Sequence, residues 1–197
     1  MSRTSSTMLP LGTALPSFEL DVAPGTGPER INSASLTGQP LLMMILCAHC
    51  PFVKHIEVEL SQLDQEYRDR VQLLAIASNS LITHPQDGPE QLAAQAKVHR
   101  WKFPYLLDRD QTLAKDLQAA CTPDFFLFAP CSTGQQELRY RGQLDNSRPG
   151  NNLPVTGEDL RAALDAVLTG KQVNADQQAS IGCNIKWHPG QEPNWFN

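Results

Sequence analysis

Apolar positions along the chain switch between continuous runs and helical spacing, which predicts alternating strands and helices. Residues 41–46 and 71–77 are apolar nearly throughout, as expected for strands buried on both faces. The segment 51–70 between them carries the apolar stripe of a helix, with large side chains three and four residues apart: Phe52, Ile56, Leu60, Leu63 and Tyr67. This order predicts a parallel β-α-β unit.

The remaining apolar segments complete a sheet and its helices. We predict further strands at 18–22, 124–128 and 137–142, and further helices at 88–99, 111–120 and 158–168. The predicted fold class is therefore α/β, with a central mixed β-sheet flanked by helices on both faces. We assign residues 8–170 to this domain and residues 171–197 to a polar C-terminal tail docked on it.

Composition narrows the classes of partner. The 197 residues suit one domain, and the net charge of −5 argues against a nucleic-acid partner. No apolar run approaches the ~20 residues that a membrane span needs, so we expect no membrane partner. The polar, Ser/Thr-rich residues 1–8 do not resemble a secretory signal, which favours a cytoplasmic location.

Candidate chemistry lies in the segment Cys47-Ala48-His49-Cys50-Pro51, at the predicted junction of strand and helix. This junction would set both thiols at a helix N-terminus, where backbone N–H groups and the helix dipole favour a thiolate. Pro51 suits the first helical turn. We assign Cys47 as the attacking thiol and Cys50 as the more buried resolving thiol, so that the pair can form a disulfide reversibly.

Two further features of this segment bear on its chemistry. A protonated His49 near Cys47 would stabilise its thiolate, whereas the alternative for His49 is a solvated loop residue. The alternative for the Cys47/Cys50 pair is half of a zinc site, but structural zinc needs four ligands and the sequence has no second close pair. We therefore expect no metal and no bound cofactor.

A second motif is Cys121-Thr122-Pro123-Asp124, directly before an apolar strand. A cis peptide bond between Thr122 and Pro123 would present a backbone edge to a substrate beside the redox pair, although the motif could also simply begin an edge strand. Cys121 would then lie close to the pair, either as a small buried apolar residue or as a third redox thiol.

The tail carries the remaining candidate. Cys183 lies between residues 171 and 197, a segment that also holds Trp187 and Trp195 and is therefore expected to dock on the domain. If the tail folds over the site, Cys183 could cap or resolve the Cys47/Cys50 pair. The alternative is a thiol at the surface.

These motifs together resemble the thioredoxin superfamily, and most closely its peroxiredoxin-like AhpC/TSA branch. Over residues 8–170, the resemblance is carried by Leu15-Pro16-Ser17-Phe18, by Cys47 to Lys54, by Leu107 to Gln111 and by Cys121 to Phe128. Residues 180–187 are similar to a C-terminal signature of the same branch. The resemblance implies a thioredoxin fold and disulfide exchange.

The predicted function is that of a thiol–disulfide oxidoreductase acting on protein or small-molecule disulfides, with thioredoxin or glutathione as reductant. A thiol peroxidase is the alternative enzyme. Peroxiredoxins carry a hydroxyl residue three positions before the reactive cysteine, but here Met44 precedes Cys47 and Cys47 precedes Cys50 at that spacing. The alternative outside catalysis is a module that binds a partner or a metal through the same site.

Overall fold

The computed structural model describes residues 3–196. Its strands are β1 (Arg3–Ser5), β2 (Glu19–Asp21), β3 (Arg30–Asn32), β4 (Leu41–Ile45), β5 (Gln72–Ala77), β6 (Tyr105–Leu107), β7 (Cys121–Thr122), β8 (Asp124–Pro130), β9 (Gln136–Gly142) and β10 (Ile181–Asn184). Its α-helices are α1 (Pro51–Tyr67), α2 (Pro89–His99), α3 (Thr112–Asp116) and α4 (Glu158–Leu168). Short 3-10 turns span 33–35 and 85–87.

A five-stranded mixed sheet forms the centre of the fold. Its strand order is β6-β5-β4-β8-β9, with β4 parallel to β5, β5 parallel to β6, and the β4/β8 and β8/β9 pairs antiparallel. Strand β4 is fully buried at the middle of the sheet. The chain passes from the end of β4 into α1. The Cys47 to Cys50 segment therefore lies where the central strand of the sheet ends.

Alternate side chains of β4 belong to two different apolar cores. Leu42 and Met44 pack with α1, α2 and α4 on one face, whereas Leu41 and Met43 pack with α3 on the other. The second core also receives Ile185 and Trp187 from the tail. Helices therefore cover both faces of the sheet, and the predicted α/β fold class is confirmed.

The helix predicted at 111–120 is shorter than expected. It ends at Asp116 because Gln118 adopts a left-handed backbone conformation with φ +49°. Such a residue just after the last helical turn terminates the helix. The edge strand β6 was not predicted, since three apolar residues after Pro104 are too few to show a period.

The tail adds a strand to a second, three-stranded sheet of order β1-β10-β7, antiparallel throughout. The backbone of the tail approaches two other segments closely. A Cβ on Gly182 would lie 2.0 Å from the Thr122 carbonyl oxygen, and one on Gly142 would lie 2.0 Å from the Gln178 carbonyl oxygen. Only glycine allows the tail to pass this near to β7 and to the end of β9. The boundary between the domain (8–170) and the tail (171–197) remains a prediction.

No helix within residues 3–196 is long and apolar enough to cross a membrane.

Asp124, the first residue of β8, is a fully buried carboxyl group. Its Oδ2 has no hydrogen-bond partner among the described residues, and burial raises the pKa of Asp124 to about 8. Below about pH 4 the group is protonated in both the folded and the unfolded chain. Between about pH 4 and 8 only the folded chain keeps the proton, so the free energy of unfolding falls as the pH rises.

We therefore expect Asp124→Asn to increase the free energy of unfolding at pH 7 by about 2–4 kcal/mol, because the carboxyl group must take up a proton on folding at this pH and the neutral amide need not. The variant should also lose the fall in stability between about pH 4 and 8. Urea unfolding measured across this range tests both effects. The exposed Asp69→Asn serves as the control and should change neither. An unaltered pH profile in Asp124→Asn would contradict the assignment.

Candidate active site

The Cys47 to Cys50 segment connects the most buried strand to the longest helix. Cys50 is the N-cap of the 17-residue α1, and Pro51 is the first helical residue, as the sequence predicted. No side chain caps this helix end. The first-turn N–H groups, which have no carbonyl partner within the helix, and the positive end of the helix dipole therefore face the thiols.

Three sulfur atoms and Thr122 meet at this helix end. Cys47 Sγ lies 3.5 Å from Thr122 Oγ1, and Cys50 Sγ lies 3.3 Å from the Thr122 carbonyl oxygen. Cys50 Sγ also lies 2.8 Å from Cys183 Sγ, which β10 holds opposite Thr122 in register. Cys47 and Cys50 are both 0% exposed and Cys183 is 3% exposed, so burial does not distinguish the expected attacking thiol from the resolving one.

The electrostatics of the cluster differ between its thiols. Hydrogen bonding from Cys183 and from Cys47 lowers the pKa of Cys50. Hydrogen bonding to Cys50, burial and the nearby Asp87 carboxylate raise the pKa of Cys47. In this reduced, tail-covered site the pKa of Cys50 is therefore shifted down and that of Cys47 is shifted up. The assignment of Cys47 as the attacking thiol stays a prediction.

Asp87 is a site residue that the sequence reasoning missed. Its Oδ1 accepts hydrogen bonds from the backbone N–H groups of Ala48 and His49, at 3.0 and 3.2 Å. Its Oδ2 lies 2.6 Å from His49 Nδ1 and accepts from Asn79 Nδ2 at 2.8 Å. One carboxylate thus fixes both residues between the cysteines. The topology could have identified Asp87. Strands β4 and β5 are parallel, so polar residues that follow β5 lie at the same edge of the sheet as the segment that follows β4.

His49 is part of this network rather than a solvated loop residue. Its side chain is 15% exposed and its ring stacks on His84 at a centroid distance of 5.3 Å. The ligand atoms of Cys47, His49 and Asp87 lie within 4.8 Å of one another. The predicted effect of a protonated His49 on the Cys47 thiolate stays a prediction.

These three side chains also raise the question of a metal site. They supply three candidate ligands, but both oxygens of Asp87 already accept two hydrogen bonds each. A metal ion would have to displace these bonds and take one oxygen. The arrangement fits an anchored loop better than a set of open ligands.

The Cys121-Thr122-Pro123 motif lies where the sequence indicated. The Thr122–Pro123 peptide bond is cis, and Thr122 contacts both cysteines of the pair through two different atoms. Cys121 is fully buried, and its sulfur lies 3.6 Å from the Pro123 carbonyl oxygen. Burial raises the pKa of the Cys121 thiol, which fits a small apolar core residue rather than a reactive one.

Comparison with solved structures shows a thioredoxin-like fold. The chain superposes on a thiol-disulfide isomerase from Corynebacterium glutamicum with a TM-score of 0.58 and 21% identity, over 79% of this chain and 97% of that one. The AhpC/TSA family matches residues 11–141, and the chain belongs to that family.

Two solved structures are similar over nearly the whole chain. An uncharacterized conserved protein from Geobacillus kaustophilus is 42% identical, with a TM-score of 0.89 over 96% of this chain and 98% of that one. A hypothetical protein from Sinorhizobium meliloti is 41% identical, with a TM-score of 0.88 over 95% and 100%. No curated protein matches the chain significantly.

The role of Asp87 can be tested by removing its charge and keeping its shape. We expect Asp87→Asn to lower the pKa of Cys47, because the negative charge beside that thiol disappears. The midpoint of site-resolved alkylation of Cys47 against pH measures this shift. The exposed Asp116→Asn is the control and should leave the midpoint in place. A higher midpoint in Asp87→Asn would show that the anchoring of the loop outweighs the charge.

Proposed function

We propose that this protein is a thiol–disulfide oxidoreductase whose redox pair is Cys47 and Cys50. The observation that carries the proposal is the meeting of both thiols at the N-terminus of α1, each in contact with Thr122. A helix N-terminus stabilises a thiolate, and the thiolate is the nucleophile in disulfide exchange. Membership of the AhpC/TSA family and the fold shared with a thiol-disulfide isomerase support the same class.

The lowered pKa of Cys50 and the raised pKa of Cys47 suggest the order of steps. The Cys50 thiolate attacks one sulfur of a substrate disulfide, a new S–S bond forms, and the first substrate thiolate leaves and takes a proton from water. Cys47 then attacks Cys50 Sγ, and its proton passes to the second leaving sulfur. Two electrons reach the substrate, and the protein holds a Cys47–Cys50 disulfide that thioredoxin or glutathione reduces again.

Access to the thiols is part of this proposal. Cys47 and Cys50 are covered while β10 pairs with β7. A protein disulfide can reach them only when the tail leaves β7, whereas a small disulfide such as oxidised glutathione needs a smaller opening. Protein and small-molecule disulfides are therefore expected to react at different rates.

The first test is the reduction of insulin by dithiothreitol. The protein should accelerate this reaction, and Cys50→Ser should return it to the rate of dithiothreitol alone, because the pair can no longer form a disulfide. Cys131→Ser is the matched control, since the Cys131 sulfur lies beside the Thr133 hydroxyl in the β8–β9 turn, outside the thiol cluster. Equal rates with and without wild-type protein would contradict the proposal and favour a binding module.

The order of attack has its own test. With oxidised glutathione at neutral pH, Cys47→Ser/Cys183→Ser should form a mixed disulfide at Cys50 faster than Cys50→Ser/Cys183→Ser forms one at Cys47. The serine hydroxyls can still donate to Cys50 at the helix N-cap, whereas Cys47 stays buried beside the Asp87 carboxylate. Cys183 is replaced in both variants because it lies beside Cys50. Intact-mass measurement over time gives both rates. Faster reaction at Cys47 would restore the order expected from the sequence.

A thiol peroxidase is the second candidate. No hydroxyl residue stands three positions before Cys47, but the Thr122 hydroxyl could take its place, since its Oγ1 lies 3.5 Å from Cys47 Sγ. However, Cys47 is fully buried with a raised pKa, and no arginine within residues 3–196 hydrogen-bonds it. Stopped-flow mixing with hydrogen peroxide separates the two candidates, since fast sulfenate formation at Cys47 would favour the peroxidase.

A further inference from the structure

Cys183 is the member of the thiol cluster that the proposed exchange does not use. Its sulfur lies 2.8 Å from Cys50 Sγ, closer to that sulfur than the Thr122 carbonyl oxygen is. The contact joins residues 133 positions apart in the chain. Since β10 places Cys183 opposite Thr122 in antiparallel register, the fold itself brings the third sulfur to the pair.

The tail is seated by contacts that extend on both sides of Cys183. Ser180 Oγ donates to the Gly142 carbonyl oxygen at 2.6 Å, and the Ile185 backbone N–H donates to the Ala120 carbonyl oxygen at 3.0 Å. Ile185 and Trp187 are buried in the second core. The position of Cys183 is therefore set by the packing of the whole segment.

Hydrogen bonding to Cys50 and burial raise the pKa of Cys183 in the reduced cluster, but two other neighbours favour a thiolate at this position. The backbone N–H of Phe52, at the second position of α1, hydrogen-bonds the Cys183 sulfur, so both sulfurs share the helix end. The Lys186 ammonium group also favours a Cys183 thiolate. When Cys50 is part of a disulfide it carries no charge. Cys183 can therefore be the thiolate of the cluster in that state.

We propose that Cys183 is a third redox thiol, which converts the Cys47–Cys50 disulfide into a Cys50–Cys183 disulfide that fastens the tail over the site. This rests on the proposed function, because the exchange with substrate supplies the first disulfide. The Cys183 thiolate attacks Cys50 Sγ, the Cys50–Cys183 bond forms, and the Cys47–Cys50 bond breaks. Cys47 leaves as a thiolate and takes the proton that Cys183 gave up, so no further oxidant or reductant is needed.

The proposal gives the tail two states. In the reduced protein, hydrogen bonds and apolar packing alone hold β10 on β7, and the tail can leave to admit a substrate. After the conversion, a covalent bond closes the site while Cys47 is a thiol again. A reductant that cleaves Cys50–Cys183 would reopen it.

The test is a disulfide map of the full-length chain after reaction with oxidised glutathione. No Lys or Arg separates Cys47 from Cys50, so trypsin leaves both on the peptide 31–54, whereas Cys183 lies on 172–186. We expect these two peptides to be linked, with the alkylating reagent on Cys47 located by fragmentation. Complete alkylation of Cys183 in a sample that accumulates the Cys47–Cys50 disulfide would overturn the proposal.

A variant that moves the tail without removing a thiol keeps the proposal falsifiable. Gly182→Ala places a Cβ against the Thr122 carbonyl oxygen and should abolish the link to Cys183 while the Cys47–Cys50 disulfide still forms. The control is Gln191→Ala, at an exposed position of the same tail, which should leave the link in place. An undiminished Cys50–Cys183 link in Gly182→Ala would show that the link does not depend on the docked tail.

Insulin reduction measured on the same samples separates this proposal from the proposed function. Activity together with a Cys47–Cys50 disulfide and a fully alkylated Cys183 leaves the function standing and removes the third thiol. If the protein neither accelerates insulin reduction nor forms any disulfide, both the proposed function and the role of Cys183 are wrong.

Discussion

The antiparallel pairing of β10 with β7 is the interaction on which the chemistry of this molecule depends. It is two residues long in register, yet it brings Cys183 to the fully buried Cys50 and so adds a third sulfur to the site. The pairing is possible because Gly182 has no side chain at the point where the two backbones meet.

Burial and the helix dipole act on these sulfurs in opposite directions. Desolvation disfavours a thiolate, whereas the N-terminus of α1 and neighbouring S–H groups favour one. The balance differs by position. Cys50 benefits from the helix end and from two donors, while Cys47 faces the Asp87 carboxylate. A cluster of identical groups thus becomes chemically unequal through placement alone, which is the property that a directed exchange among sulfurs requires.

The local parts of this structure could be predicted from the sequence. The uninterrupted apolar run of β4 and the stripe of α1 each specify one element, and the junction between them places Cys50 and Pro51 at the N-terminus of α1. The cis bond before Pro123 was also indicated by its position ahead of an apolar strand. These inferences succeed because each depends on residues near one another in the chain.

The non-local parts could not be derived in this way. Asp87 joins the site through backbone hydrogen bonds to a segment 38 and 39 residues away, and no periodicity links the two. The order of thiol pKa values depends on Cys183, whose approach follows from a pairing of only two residues in each strand. The hydroxyl beside Cys47 comes from Thr122 across the site, where a motif based on spacing within one segment has no means of finding it.

The sheet that carries the tail also includes β1, so that Arg3 pairs with Cys183 on the side of β10 away from Thr122. Segments from near both ends of the described chain are therefore neighbours of the reactive sulfurs. An affinity tag or fluorescent protein fused ahead of β1 would begin within a few residues of the thiols. Labels intended to leave the chemistry undisturbed are better attached at the exposed turn around Gly134, on a hairpin that takes no part in this sheet.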